Sequence, residues 1–229
     1  MKRVFIVIII GAALLGGVFG GLFYWKNLRG VWPVLKSPPQ NITKIIESTS
    51  TSEINTTYPL VLPQDFSISI FAKDLVGPRV IAQDPQGTLI VSITEEGRVM
   101  ALPDLNGDHK ADKTITVVDK LYKPHGLVFH CSYENCYLYI TEANKVMRYK
   151  YDTKTFTVNV PVKIMDLPDN GHSMHTLLIY TTLTGDKLLT KIGSSCNACE
   201  ENDWRRAKIL ISDLDGKNTR VFASGLRNA

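Results

Sequence analysis

Val117-Val-Asp-Lys-Leu121 followed by Pro124-His125 is one copy of a phrase that recurs along the chain: a short β-rich run ending in Leu, then a turn carrying one Arg or His. The other copies are Phe71-Ala-Lys-Asp-Leu75 with Pro78-Arg79, Ile164-Met-Asp-Leu167 with Gly171-His172, and Phe222-Ala-Ser-Gly-Leu226 with Arg227-Asn228. Leu75, Leu121, Leu167 and Leu226 stand 46, 46 and 59 residues apart. A period of this size points to stacked all-β units, with propeller blades the leading case.

After each Arg/His turn come three further apolar runs, split by Gly, Asn and Asp in the manner of hairpins. In the first unit they are Val80-Ile-Ala82, Thr88-Leu-Ile-Val-Ser92 and Arg98-Val-Met-Ala-Leu102. The second has Gly126-Leu-Val-Phe129, Tyr137-Leu-Tyr-Ile-Thr141 and Lys145-Val-Met-Arg-Tyr149; the third has Thr176-Leu-Leu-Ile179, Lys187-Leu-Leu-Thr190 and Ala207-Lys-Ile-Leu-Ile211. The expected fold is a partial β-propeller of about three four-stranded blades plus the start of a fourth, over residues 60–229. Propellers close with four to eight blades, so the expectation is a chain truncated within a longer ring, or one completed by other chains. Repeat geometry places Arg79, His125, His172 and Arg227 at one mouth of the channel. Turn-borne His and Arg also cap backbone carbonyls, and both roles are open at this point.

Ahead of the repeats, Val4 to Trp25 is a run of 22 residues without a charge, flanked by Lys2, Arg3, Lys26 and Arg29. That length spans a bilayer as a helix. Residues 1–29 are read as a signal anchor, with a cleaved signal peptide as the alternative. Residues 30–59, rich in Ser, Thr, Asn and Pro, read as a linker. The expectation is a single-pass protein of the cell membrane with its propeller outside the cytoplasm. The formal net charge of +4, from 26 basic and 22 acidic residues, forms no concentrated basic face and argues against nucleic-acid binding.

The four cysteines form two close pairs, Cys131 with Cys136 and Cys196 with Cys199. An even count beyond a membrane anchor suits two local disulfides, with a four-Cys zinc site as the rival. Haem attachment needs His after the second Cys, where this chain has Glu200. Asp104, Asn106, Asp108 and Asp112 have the oxygen spacing of a calcium loop, but His109 stands at the usual Gly position and Ile115 at that of the bidentate Glu. The same residues also make an Asx-rich hairpin turn.

From Leu62 onward the chain resembles the glucose/sorbosone dehydrogenase family. The matching stretches are Gly77-Pro-Arg79, Gly97-Arg-Val-Met-Ala-Leu102, Lys123-Pro-His-Gly-Leu127, Asn170-Gly-His172, Gly193-Ser-Ser-Cys-Asn-Ala-Cys-Glu200 with Arg205-Arg-Ala207, and Gly225-Leu-Arg-Asn228. The Gly-Ser-Ser-Cys-Asn-x-Cys stretch is the most specific and points to the sorbosone-dehydrogenase-like branch. The resemblance implies a six-bladed propeller that uses pyrroloquinoline quinone, with calcium as a further ligand. It implies that His172 is the base that takes a proton from a sugar or related substrate and that Arg227 and Asn228 hold the cofactor; repeat geometry adds Arg79 and His125 to the cofactor-binding set. Two departures stand out: His175 replaces an Arg common in the family, and Tyr180-Thr-Thr-Leu-Thr-Gly-Asp186 replaces a shorter turn. The later blades that carry further cofactor residues are missing from this chain, so the fragment is expected to be inactive alone. Two functions follow: a membrane-tethered quinoprotein dehydrogenase for a sugar or aldehyde, or a non-catalytic propeller that binds a protein or glycan.

Overall fold

The computed structural model describes residues 16–23, 62–133 and 135–228. The chain divides into two units, residues 1–69 and 70–229. In the first, residues 16–23 are helical and the Phe66 amide donates to the Pro63 carbonyl at 3.2 Å. Among the described residues no helix is long and apolar enough to cross a membrane. Most of the Val4 to Trp25 run and all of the 30–59 linker lie outside the described residues.

The second unit is all-β, with three four-stranded antiparallel sheets. The first sheet is β1 (Pro78–Gln83), β2 (Leu89–Ile93), β3 (Arg98–Leu102) and β4 (Ile115–Val118), in chain order. The second is β5 (Leu127–Cys131), β6 (Cys136–Thr141), β7 (Lys145–Asp152) and β8 (Thr157–Asp166). The third is β9 (Thr176–Thr182), β10 (Gly185–Ile192), β11 (Lys208–Asp213) and β12 (Arg220–Ser224). The first strands β1, β5 and β9 lie beside one another, and so do the outer strands β4 and β8. The arrangement is propeller-like.

Strand periodicity explains why the sheets stack. Successive side chains in a strand face opposite sides, so a strand between two sheets must be apolar at every position. In β6, Leu138 and Ile140 join Ile90, Val99 and Ala101 of the first sheet in one core cluster. The intervening Tyr139 packs instead with Leu188, Ile192 and Leu210 of the third sheet. Removing a side chain of this size from water contributes roughly 1.5–3 kcal/mol, so these two clusters carry the sheet-to-sheet cohesion. Polar struts add direction: the Tyr151 hydroxyl donates to Asp84 Oδ2 at 3.0 Å, and His130 Nε2 lies 2.9 Å from Asp186 Oδ2.

The repeat boundaries differ from the sequence reading by one strand. The β-run of each phrase is the outer strand of the preceding sheet: Val117-Val118 ends β4, Ile164-Met-Asp166 ends β8, and Phe222-Ala-Ser224 ends β12. The fourth phrase therefore completes the third sheet. Phe71–Leu75 is not a strand, because β4 already occupies the outer edge of the first sheet. Phe71, Ala72 and Leu75 pack on Val91, Ile93, Met100 and Leu102 instead. The repeated Leu has a backbone role. Leu121 N donates to Gly97 O at 2.8 Å, Leu167 N to Asn144 O at 2.8 Å, and Leu226 N to Ala207 O at 3.0 Å. Each acceptor follows the second or precedes the third strand of the same sheet, so the Leu closes its sheet. The expected long turn at Tyr180–Asp186 is a tight hairpin, with β9 and β10 separated only by Leu183-Thr184.

Candidate functional site

The loop after β10, Gly193 to Cys199, ties the two segments that carry His172 and Arg227. His172 N donates to Ser194 O at 2.9 Å, and Ser194 N donates to Arg227 O at 2.9 Å. Asn197 Oδ1, within the same loop, accepts from Arg227 Nε at 3.1 Å and Nη2 at 2.5 Å. Cys196 and Cys199 close the loop as a disulfide, and Cys131 with Cys136 forms the second. Glycine is required in this crossing. A Cβ on Gly193 would stand 2.2 Å from the His172 carbonyl oxygen, and one on Gly171, at φ +67°, would stand 2.5 Å from the Ser195 carbonyl oxygen.

His172 is half-buried, and its imidazole has no hydrogen-bond or ion-pair partner among the described residues. His175 behaves differently. It is fully buried, and its Nε2 donates to the Ala143 carbonyl at 3.2 Å, bracing β9 against the loop after β6. Its Nδ1 makes no hydrogen bond of normal geometry. Burial draws its pKa down to about 4, with the charges of Lys191 and Arg206 adding to the effect. His175 is therefore a neutral strut rather than an exposed base.

The His175 carbonyl is the meeting point with the second sheet. It accepts from His125 Nδ1 at 3.0 Å, Gly126 N at 3.1 Å and Thr141 Oγ1 at 2.8 Å. His125 is buried, and that burial lowers its pKa; the hydrogen bond to His175 opposes this, while Arg79 and Lys191 assist it. Arg79, on β1, is exposed and has no hydrogen-bond or ion-pair partner among the described residues. The structure thus links the neighbourhoods of Arg79 and His125, and links His172 to Arg227 through Ser194. Asn228 is exposed, and its Oδ1 accepts from Lys191 Nζ at 2.6 Å.

Two further cations carry no site role in the sequence reading, although Arg206 lies in its Arg205-Arg-Ala207 stretch. Lys191 on β10 is only 6% exposed, and its Nζ also donates to Met174 O at 2.9 Å. Arg206, buried at 3%, reaches the Asn170 side-chain oxygen and the Gly193 carbonyl. The sequence signal for Lys191 was a charge interrupting the run Leu188-Leu-Thr-Lys-Ile192. Among the described residues no carboxylate lies at ion-pair distance from Arg79, Lys191, Arg206 or Arg227. Such a donor set suits an anion rich in carbonyl and carboxylate oxygens.

The Asp104–Asp112 loop is a self-bonded turn. Asp104 accepts from Gly107 N at 2.8 Å and His109 N at 2.9 Å, Asn106 from Asp108 N at 2.9 Å, Asp108 from Lys110 N at 2.9 Å, and Asp112 from Leu105 N at 2.6 Å. His109 takes the left-handed conformation, φ 64°, that a Gly would provide. Among the described residues no group of three or more His, Cys, Asp or Glu side chains is placed to hold a metal ion.

The chain is similar in fold to the holo pyranose dehydrogenase PQQ domain from Coprinopsis cinerea. The TM-score is 0.62 and the identity 21%, over 72% of this chain and 42% of that one. It is also similar to the Trichoderma reesei carbohydrate-active enzyme of family AA12. With its iodide structure the TM-score is 0.52 and the identity 25%, over 63% of this chain and 37% of that one. With its calcium structure the values are 0.53 and 23%, over 69% and 40%. The chain therefore spans less than half the length of these structures. Among curated proteins there is no match. The TrAA12-like family model matches residues 60–228, and the chain belongs to that family.

Proposed function

We propose that this chain is part of a sugar or aldehyde dehydrogenase that uses pyrroloquinoline quinone. The observation that carries the reading is a half-buried His172, its imidazole without a partner among the described residues, tied through one loop to Arg227, which has no carboxylate at ion-pair distance among them, in a chain of the TrAA12-like family. When bound, the quinone supplies a two-electron acceptor, which the side chains of a protein lack. Arg227 and Asn228 would hold it, with Arg79 and His125 approaching from the neighbouring sheets. A guanidinium matches paired oxygens, and the neutral His125, whose Nδ1–H is engaged by the His175 carbonyl, leaves Nε2 as an acceptor.

His172 takes the proton of the substrate hydroxyl. Its imidazole has no partner to displace among the described residues, and a neutral ring nitrogen can accept a proton. Ser194 fixes the backbone of both His172 and Arg227, so base and clamp move as one unit. The departure at His175 does not remove the base, since that side chain serves as a buried strut. Calcium belongs to this proposal as a ligand of the complete site, and the Asp104–Asp112 turn is a weaker place for it. The uncharged Val4 to Trp25 run supports a membrane tether with the propeller outside the cytoplasm, and the two disulfides suit that compartment.

The test is to reconstitute the full-length gene product with pyrroloquinoline quinone and calcium and to follow dye reduction with aldoses. Turnover is expected, and His172→Ala should abolish it while cofactor still binds. Neither cofactor binding nor turnover in the wild type would refute the proposal and leave a non-catalytic binding propeller.

A further inference from the structure

Lys191 stands on a core strand whose neighbours Leu188, Thr190 and Ile192 are fully buried. An ammonium taken out of water needs a counter-charge or a full set of acceptors. Lys191 Nζ has two neutral acceptors, Met174 O at 2.9 Å and Asn228 Oδ1 at 2.6 Å, and no third among the described residues. These acceptors come from the segment that carries His172 and the segment that carries Arg227. The ammonium is thus held between the proposed base and the proposed clamp.

The groups that face Lys191 do not compensate it. His125 and His175 each donate a ring N–H to a carbonyl and are neutral; Arg79 adds positive charge beside His125, and Arg206, beside His175, is itself drawn to Glu201 and Asp203. We infer that Lys191 is an anion-binding residue of this site and takes a carboxylate of the bound quinone cofactor, with Asn228 orienting the ammonium. The inference rests on the proposed function above. A carboxylate is chosen over a quinone oxygen because a neutral carbonyl would leave the buried charge uncompensated, whereas a charged acceptor forms the stronger bond.

The experiment is a titration of the full-length gene product with pyrroloquinoline quinone, read by tryptophan fluorescence quenching at low and high salt. Wild type is compared with Lys191→Met and Lys191→Arg. Loss of one charge-assisted bond predicts that Lys191→Met weakens binding about tenfold or more and shows a shallower salt dependence. Lys191→Arg should recover most of the affinity. Lys191→Gln keeps a donor for the Met174 carbonyl and carries the same expectation if the Met variant fails to fold. Equal affinity in the neutral variants overturns the inference. So does a loss with unchanged salt dependence that Arg fails to rescue, which marks a structural role. If the wild type binds no quinone, the proposed function itself fails and this inference falls with it. Wild-type binding that is insensitive to position 191 refutes the inference alone.

Discussion

Acidification tests the strut role of His175 directly. Its folded pKa is drawn from 6.5 to about 4 by burial, so the folded state prefers the neutral ring by roughly 3 kcal/mol. The unfolded chain has no such preference and takes up a proton near 6.5. The stability contributed by the neutral ring is therefore complete above that value and is lost as pH falls towards 4. Between pH 7 and pH 5 the loss from this one group is about 2 kcal/mol. His125, whose pKa is also lowered, acts in the same sense, so the wild type should lose at least that much. His175→Gln keeps an amide donor for the Ala143 carbonyl and removes the titration. Urea unfolding at pH 7, 6 and 5 should show a pH dependence shallower by about 2 kcal/mol in the variant than in the wild type. Equal dependence in the two proteins would refute the reasoning, because it would mean that His175 titrates in the folded state as it does in the unfolded chain.

Gly193→Ala places a methyl 2.2 Å from the His172 carbonyl oxygen, and the forced backbone shift should cost roughly 1–3 kcal/mol, read as a lower urea midpoint. Gly107→Ala, with nothing within 4 Å but φ +77°, should cost only about 1 kcal/mol from backbone conformation. Tyr151→Phe deprives the buried Asp84 of one donor while the Gln86 and Thr88 amides remain, so a loss of about 1–2 kcal/mol is expected by the same measurement. Replacing Cys196 and Cys199 together with Ser should leave the sheets folded, lower stability by about 2 kcal/mol or less, and expose the loop that holds Arg227 to faster limited proteolysis.

The repeated phrase made the architecture legible because local chemistry dictates it. Hairpin residues at regular spacing between β-rich runs specify a meander, and a meander that is apolar on both faces must stack. The same local signals misassigned each phrase strand to the wrong sheet. Nothing in Val117-Val118 or Phe222-Ala-Ser224 states which edge is free; that is decided by which neighbouring strand already offers its backbone groups. The turn of Asp104 to Asp112 shows a similar limit, since the oxygen spacing of a cation loop and that of a self-bonded turn are the same in one dimension.

The sequence by itself determined an all-β repeat and the close cysteine pairs, for which local composition and spacing suffice, while the family resemblance pointed to His172, Arg227 and Asn228. Only the tertiary structure distinguished His172, whose imidazole has no partner among the described residues, from His175, sealed in the core and held neutral. Only the fold brought Ser194 and Asn197 between His172 and Arg227, and only burial turned Lys191 from a strand residue into a sequestered cation with no carboxylate at ion-pair distance among the described residues. Charge compensation and desolvation depend on neighbours distant in sequence, so they exist only once the sheets have stacked.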